Sequence, residues 1–374
     1  MVTHQRRSHR RQAAIAHADA LLAHLVAEIP TAPSPAHAPS MPTIEGTALD
    51  PAAGELDPER AARKRDQILS AAAYAVRLLR PNDCCVEFGS GQGHLGLLIA
   101  CARPDVTVTL VEVKQYSCDG ARTRMESLRL RNCSVFCGTV DEFAASGAAL
   151  SCAVGLHLCG LLTDSVLELA IARAAAVALV PCCYGQLVGG TNHARGGGTA
   201  PCMHPRSAKF RAALAIGREA IYSHAKDDTK EEVQEPVEAA AGGEVCGRCS
   251  PSEQPPAKAH DAPQMSGEEA FKIIAQAADT AIVGPGGRFD PASEPARRAF
   301  RCMRLVDTDR CLHILESWGA GTGADGAAAR RPRVSIGRLE PPTCTPKASL
   351  LIVERPHDVD DAWDDADAGG VPLA

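Results

Sequence analysis

The sequence predicts an α/β protein with a mostly parallel sheet, helices on both faces of that sheet, and a terminal antiparallel hairpin. Two observations lead to this class. Short apolar segments alternate with segments of helical periodicity between residues 57 and 225, and two further strand-like segments follow near residues 333–355. Alternation of this kind is typical of parallel strands connected by helices that cover both faces of the sheet.

The first half of the chain supplies five predicted strands. They cover CCVEF (84–88), VTVTLVEV (106–113), CSVFC (133–137), CAVGLHL (152–158) and AVALVPCC (176–183). Helices are predicted between them at 94–102, from after residue 113 to about Arg131, and at 165–174. A longer helix precedes the sheet, because Asp57 suits an N-cap, Pro58 suits the first helical position, and Pro81 ends the periodicity.

The second half resumes a regular pattern after a long acidic stretch. Helices are predicted over GEEAFKIIAQAADTAI (267–282) and over about 294–318, and strands over 333–340 and 348–355. The two strands flank PPTCTPK, so they are predicted to pair as a hairpin. An antiparallel hairpin at the end of the chain is compatible with a parallel, right-handed beginning.

Composition divides the chain into five parts. Residues 57–225 and 266–356 carry the regular pattern and are predicted to form one α/β core, interrupted at 226–265 by an acidic insertion with the composition of disordered chain. Residues 1–56 are predicted to be a disordered or targeting leader, because they begin Arg-rich and continue rich in Pro, Ala, Ser and Thr. Residues 357–374 form an acidic tail.

The net charge of −6 conceals a basic core. Residues 226–269 hold eleven acidic against four basic residues, and residues 357–374 hold six aspartates with no Lys or Arg. The remainder carries +7, and the predicted core, without the Arg-rich first 40 residues, carries about +5. A mildly basic core permits a nucleic-acid substrate and does not establish one.

Neither a membrane partner nor a metal site is predicted. No apolar run reaches the ~18 residues of a membrane-spanning helix. Most of the sixteen cysteines lie in apolar segments, which indicates thiols in a reducing compartment: the cytoplasm, with import by the Arg-rich N-terminus as the alternative. Cys246 and Cys249 form a single CxxC pair, and their available partners, Cys202 and His204, lie more than forty residues away.

A glycine-rich turn follows the first strand, in VEFGSGQGHLG (86–96). A strand, a glycine turn and a helix in this order bring backbone N–H groups and the positive end of the helix dipole to a ligand. The spacing also fits a dinucleotide fingerprint, so an NAD enzyme stays an alternative. An acid before the first glycine favours a cationic ligand over a pyrophosphate, and S-adenosylmethionine, with its ammonium and sulfonium, fits best. The predicted loop residues are Glu87, Gly89, Ser90, Gly91 and Gly93.

Two further acids follow the next two strands. Glu112 ends the second strand, where a carboxylate reaches the ribose hydroxyls of a bound nucleoside. Val140 and Asp141 follow the third strand, where an apolar side chain and an acid suit an adenine and its exocyclic amine. Each of the two acids also has a purely structural explanation: Glu112 could be an ordinary surface residue, and Asp141 could cap the following helix. Their positions after consecutive strands of one sheet favour cofactor binding.

Three more segments carry a family resemblance: GLHLCGLLTD (155–164), VPCCYGQL (180–187) and RLEPPTCTPKASLLI (338–352). With the glycine loop they resemble the class I methyltransferase-like family that includes the methyltransferase-like domain of glutathione S-transferase C-terminal domain-containing proteins and the Trm13-type tRNA methyltransferases. The resemblance covers about residues 60–225 and 266–355. It implies a seven-stranded Rossmann-like class I methyltransferase fold with S-adenosyl-L-methionine as cofactor and Glu112 as the ribose acid. No CHHC zinc finger is found, so the tRNA substrate is not implied.

The methyl acceptor is predicted to enter at the carboxyl ends of the fourth and fifth strands, which places His157, Cys159 and the turn at 181–184 around it. The predicted catalytic residues there are His157, Cys182, Cys183 and Tyr184. A thiolate from Cys182 or Cys183 would point to addition to a pyrimidine ring, whereas packing at the end of a buried strand is the plainer explanation of both. Tyr184 would stack on or orient a planar acceptor, and His157 is either a catalytic or a structural histidine.

Together these features predict an S-adenosylmethionine-dependent methyltransferase that acts on RNA. A protein or small-molecule acceptor stays open. A non-catalytic methyltransferase-like module that binds a partner also stays open, because no acidic or NPPY-like motif follows the fourth strand.

Overall fold

The computed structural model describes residues 15–34, 41–188, 204–214, 266–279, 289–318 and 331–356, apart from residues 17, 21 and 55. The predicted acidic insertion and acidic tail lie outside the described residues. None of the described helices is both long and apolar enough to cross a membrane.

One seven-stranded sheet forms the centre of the molecule, in the spatial order β3-β2-β1-β4-β5-β7-β6. The strands are β1 (Cys84–Phe88), β2 (Thr107–Glu112), β3 (Cys133–Cys137), β4 (Cys152–Cys159), β5 (Ala176–Cys182), β6 (Arg333–Arg338) and β7 (Ser349–Glu354). β1 to β5 are parallel, whereas β7 runs antiparallel to both β5 and β6. β2 and β3 are added on one side of β1, and β4 and β5 on the other. The carboxyl ends of β1 and β4 therefore flank a crevice of the kind that binds ligands in open α/β sheets.

Seven α-helices of at least six residues have both ends defined within the described part of the chain. They are α1 (Pro58–Leu78), α2 (His94–Ala102), α3 (Gln115–Ser127), α4 (Val140–Ala145), α5 (Leu161–Ala172), α6 (Gly267–Ala278) and α7 (Glu294–Ser317). The side chains of Asp57, Thr139, Ser266 and Ser293 each accept a backbone N–H in the first turn of α1, α4, α6 and α7 respectively. These caps satisfy donors that a helix leaves unpaired at its start.

Two apolar layers lie on opposite faces of the sheet, as the alternation of side chains along a strand requires. Along β5, Ala176, Ala178 and Val180 face the layer formed with α1 and α2. Val177 and Leu179 face the other layer, formed with α5, α6 and α7. The pattern explains why β5 reads as a continuous apolar run, since both of its faces are covered.

The folded body also includes residues ahead of Asp57, where the composition suggested a leader. Leu22, Ile29 and Leu49 are at most 2% exposed. Thr31 forms a parallel bridge with Ile336 of β6, supported by backbone hydrogen bonds on both sides of the bridge. This segment covers the edge strand of the sheet, and an edge strand left bare would expose unpaired backbone groups.

A buried ion network joins the second half of the chain to the first. The Arg310 side chain on α7 is fully buried, and its guanidinium contacts Asp164 at 3.0 and 3.1 Å and Asp307 at 3.2 Å. It also donates to the carbonyl of Gly160, at 3.4 Å. Charges removed from water are tolerated only when they are paired and hydrogen-bonded in this way. The network therefore fixes α7 against the start of α5.

Replacing this arginine is expected to leave Asp307 without its cation and Asp164 with longer contacts only, among them Arg206 at 3.4 Å. For Arg310→Leu we expect a loss of about 3–5 kcal/mol of unfolding free energy, the cost of breaking a buried ion pair from one side. The measurement is equilibrium denaturation in urea. Arg297→Leu is the control, since its side chain is 56% exposed on the same helix and should change stability by no more than ~0.5 kcal/mol. Equal effects of the two substitutions would contradict the role given to Arg310.

Candidate functional site

The glycine loop links β1 to α2 and opens onto free space. Gly89, Gly91 and Gly93 all have a positive φ, between +54° and +81°, a conformation that glycine adopts without strain. A Cβ built on Gly93 would lie 2.6 Å from a Leu110 methyl, whereas one built on Gly91 would meet nothing within 4 Å. The backbone at Gly91 therefore faces a vacant region at the start of α2.

Polar groups in this loop have capacity for a ligand. The buried Ser90 hydroxyl has no hydrogen-bond partner among the described residues, and buried polar groups are rarely left unpaired. Gly93, the N-cap of α2, contributes no side-chain cap to the first helical N–H groups. Together the orphaned hydroxyl and the uncapped helix start fit a polar or charged ligand lying along the loop.

Glu87 lies beneath the loop and not in it. Its side chain is 3% exposed and accepts the Gly96 N–H at 2.8 Å. Burial raises the pKa of this carboxyl to about 8, although the Gly96 hydrogen bond and the Lys64 ammonium act in the opposite direction. Glu87 is therefore largely protonated at neutral pH in the structure as it stands, and an incoming cation would favour its ionised form.

Glu112 ties the glycine loop to the end of β2. One carboxylate oxygen accepts the Gly91 N–H at 2.9 Å, and the other accepts the Lys114 N–H at 3.0 Å. A carboxylate oxygen has two lone pairs, so each oxygen retains acceptor capacity for a hydroxyl. The prediction for Glu112 as a ribose ligand is thus compatible with its position beside the vacant space at Gly91.

Val140 and Asp141 lie in the first turn of α4, after β3. Val140 is 4% exposed, and the Asp141 side chain is exposed. Thr139 caps this helix through a capping box with Glu142, so Asp141 is not needed as the cap. The Gly138 N–H donates to the Glu112 carbonyl at 3.0 Å, which places the loops after β2 and β3 side by side. The predicted adenine residues therefore lie at the same edge of the sheet as Glu112.

His157 interrupts β4 in an unusual conformation. Its φ is +62°, and the pairing of β4 with β5 shifts register at this residue. The ring Nε2 lies 2.9 Å from the Gln67 side-chain oxygen, and the Gln67 amide N–H₂ donates to the Cys344 carbonyl at 2.7 Å. Burial lowers the pKa of His157 to about 4. The ring is therefore neutral, with its proton on Nε2 and Nδ1 left as an acceptor.

The two predicted cysteines meet a third one, Cys159, at the ends of β4 and β5. The hydrogen bond from Cys182, opposed by burial, lowers the pKa of Cys159 to about 6. Donating that hydrogen bond raises the pKa of Cys182, as does burial. Burial raises the pKa of Cys183 to about 11. Cys159, which we predicted to line the acceptor entrance without a chemical role, thus has the most acidic thiol of the three, and the raised pKa values of Cys182 and Cys183 do not fit the predicted nucleophile.

Tyr184 lies in the core and not at the acceptor entrance. Its side chain is 0% exposed, and its hydroxyl donates to Asp307 at 2.8 Å. Arg310 and Lys347 lie against the ring, each 5.6 Å from the ring centre. No face of the ring is left for a planar acceptor, so the predicted stacking role does not fit this placement. A structural role in the Arg310 network does.

Lys64 is a site residue that sequence reasoning missed. The Lys64 side chain, on α1, is near enough for its charge to lower the pKa of both Glu87 and His157. Burial lowers the pKa of Lys64 itself. Lys64 and Gln67 are three residues apart and so share one face of α1. That spacing was visible in the sequence, but nothing local indicated that this face of α1 covers the end of β4.

Titration of Glu87 is expected to make stability fall as pH rises. A carboxyl with a pKa of about 8 when folded and an ordinary value of 4.5 when unfolded contributes stability below about pH 4.5, and this is lost as pH rises through 8. Between pH 6.5 and 8 the loss should be about 1–2 kcal/mol. Chemical denaturation of the wild type and of Glu87→Gln at each pH isolates it, because the other titrating groups cancel in the difference.

Glu59→Gln serves as the control for that titration, since Glu59 is 79% exposed on α1. Its denaturation profile should run parallel to that of the wild type. A constant difference between wild type and Glu87→Gln from pH 6.5 to 8 would show that the Glu87 carboxyl is not protonated in the folded protein.

Comparison with known proteins agrees with this geometry. Residues 63–189 match the family model of a methyltransferase domain. The chain is 34% identical over 199 residues, which is 53% of its length and 30% of the relative, to the glutathione S-transferase C-terminal domain-containing protein of Xenopus laevis. It is 29% identical over 300 residues, 79% of this chain and 37% of the relative, to the homologous protein of Drosophila melanogaster. The chain thus spans about a third of the length of these relatives.

A shorter match is to a ribosomal RNA small subunit methyltransferase G of Mycobacterium leprae. The two are 46% identical over 59 residues, 16% of this chain and 24% of that protein. The predicted resemblance to glutathione S-transferase C-terminal domain-containing proteins and the predicted fold class are confirmed by these matches and by the sheet, whereas the resemblance to Trm13-type enzymes stays a prediction. The methyltransferase-domain match also agrees with the predicted cofactor, whereas the individual site residues stay predictions.

Proposed function

We propose that this protein transfers a methyl group from S-adenosylmethionine to RNA. Methyl transfer is supported chiefly by one feature: the loops after β1, β2 and β3 lie together at one edge of the sheet, within the segment that matches a methyltransferase domain. Vacant space at Gly91, a carboxylate at Glu112 and the Val140–Asp141 turn lie there in the order that an amino-acid head, a ribose and an adenine require.

The residues present fit this cofactor. The backbone of the glycine loop and the Ser90 hydroxyl would hold its amino-acid head, and Glu87 would face the ammonium from below. Glu112 would accept hydroxyls of the ribose, and Val140 and Asp141 would border the adenine. When bound, the cofactor supplies a methyl group on a positively charged sulfur. The protein then needs chiefly to align the acceptor with that methyl group, and alignment can contribute ~7–11 kcal/mol.

RNA is the acceptor that we favour. The folded core, without its acidic segments, is basic by about five charges, and a basic surface attracts phosphates. One of the related proteins is by name a ribosomal RNA methyltransferase. His157 Nδ1 is free to accept a hydrogen bond from an acceptor hydroxyl or amine, although a pKa of about 4 makes it a weak base.

None of the thirteen described cysteines forms a disulfide, and we place the protein in the reducing cytoplasm.

A non-catalytic binding module is the second candidate. Two observations favour it: Tyr184 is withdrawn from the acceptor side, and no carboxylate within the described part of β4 follows His157. Such a module would bind the cofactor or a partner through the same fold without turning it over.

Cofactor binding is expected to raise the melting temperature of the full chain. S-adenosylhomocysteine at a hundred times its dissociation constant stabilises by ~2.7 kcal/mol, or about 5–10 °C for a core of this size. Glu112→Ala should lose most of that shift, because the ribose loses its acceptor and the loop loses its tie to β2. Glu126→Ala, an exposed position on α3, should keep it. An undiminished shift in Glu112→Ala would show that the ribose site lies elsewhere.

Transfer of a labelled methyl group identifies the acceptor. With labelled S-adenosylmethionine and separate RNA, protein and metabolite fractions, we expect label in RNA from the wild type and none from Gly91→Val, whose side chain enters the space at the loop. Label confined to protein or metabolites would end the RNA proposal. Absence of label from every fraction, with cofactor binding intact, would favour the binding module.

A further inference from the structure

Three cysteine sulfurs converge at the carboxyl ends of β4 and β5. The Sγ of Cys159 lies 3.1 Å from that of Cys182 and 3.4 Å from that of Cys183, and the last two are 3.6 Å apart. We call Cys159, Cys182 and Cys183 the thiol triad. Within the described part of the chain it is the one group of three or more His, Cys, Asp and Glu side chains whose ligand atoms all lie within 4.8 Å of one another.

The backbone is bent to bring these sulfurs together. Cys159 and Cys182 pair across the two strands, so their side chains lie on the same face. Cys183 is the next residue after Cys182, and consecutive residues of an extended strand point to opposite faces. It joins the triad because its φ is +52°, a conformation that costs a residue with a Cβ about 1–3 kcal/mol. A strained residue that completes a cluster of ligand atoms indicates a purpose for the cluster.

The spacing matches the ligands of one metal ion. Zn²⁺ binds thiolates at ~2.3 Å in tetrahedral geometry, which puts the sulfurs about 3.8 Å apart. The three separations of the thiol triad, 3.1, 3.4 and 3.6 Å, are shorter than this, so binding would move the sulfurs apart by at most about 0.7 Å. A disulfide needs ~2.05 Å between two sulfurs and would leave the third sulfur unused. An iron–sulfur cluster would hold its cysteines farther apart, because several irons and sulfides lie between them.

The surroundings suit a site with one open position. The Cys159 side chain is exposed and Cys183 is partly buried, so the triad faces outward at the sheet edge. The His157 carbonyl lies 3.6 and 3.2 Å from the sulfurs of Cys159 and Cys182, so in the thiol form these two side chains are directed to the same place before an ion binds. Three protein ligands and a free fourth position are typical of reactive zinc sites, whereas structural sites carry four.

We propose that the thiol triad binds one Zn²⁺ ion, with its fourth position open to water or to a ligand atom of the molecule that enters at this edge. Binding releases the thiol protons to solvent and leaves three thiolates on the ion. The site lies next to His157, at the edge where the methyl acceptor would enter, but it does not depend on the methyl-transfer proposal. It uses no residue of the glycine loop.

Metal content of the reduced full chain tests this directly. We expect one equivalent of zinc per chain by elemental analysis, or uptake of one equivalent in competition with a chromogenic chelator. Co²⁺ in its place should give the visible absorption of tetrahedral cobalt thiolates. Cys159→Ser and Cys183→Ser should each weaken zinc binding on the order of tenfold or more. Cys137→Ser is the matched control, an exposed cysteine at the end of β3 outside the triad, and should bind as the wild type does.

Two results would overturn the proposal. One is the absence of zinc uptake by the fully reduced chain. The other is zinc that survives Cys159→Ser and Cys183→Ser and is lost in Cys246→Ser/Cys249→Ser, which would assign the ion to the CxxC pair. Because Cys182 is buried and its substitution risks misfolding, only the two more accessible positions are used. Circular dichroism spectra that match the wild type show that the variants are folded.

Discussion

The pairing of Arg310 with Asp164 and Asp307 is the constraint on which much of this structure depends. All three side chains are fully buried, and buried charges are tolerated because they are paired. Asp164 belongs to the first turn of α5, directly after β4, and Asp307 receives the hydroxyls of Tyr184 after β5 and Ser349 at the start of β7. One guanidinium thereby fixes the ends of three neighbouring strands relative to one another.

This arrangement explains how the carboxyl-terminal part of the chain serves a site to which it contributes no predicted ligand. The ends of β4 and β5 carry His157 and the thiol triad, and α7 holds them from behind through Gly160 and Asp164. The cofactor edge is held by separate contacts, from Glu112 to the loop at Gly91 and from Glu87 to α2. The two halves of the site are held by different hydrogen bonds and meet at the crevice between β1 and β4.

Local signals predicted much of the fold. The strands, the glycine loop and the start of α1 at Asp57 follow from periodicity and capping, which act over a few residues. The packing of Leu22 and Ile29, the Arg310 network and the position of Lys64 depend on contacts between distant parts of the chain. The sequence placed Cys159, Cys182 and Cys183 at one edge of the sheet, but not as a cluster, because Cys159 and Cys182 are 23 residues apart and no short metal-binding motif contains both.

The measurement that tests the central claim most directly is hydrogen–deuterium exchange of the full chain with and without S-adenosylhomocysteine. Binding at the proposed edge should slow exchange in peptides covering residues 88–96 and 112–118, which contain the glycine loop and the Glu112 carboxylate that accepts the Gly91 N–H. Peptides from the middle of α7 should be unchanged. Saturating ligand that protects neither segment, or protects a different surface, would contradict the assignment of the glycine loop as the cofactor site.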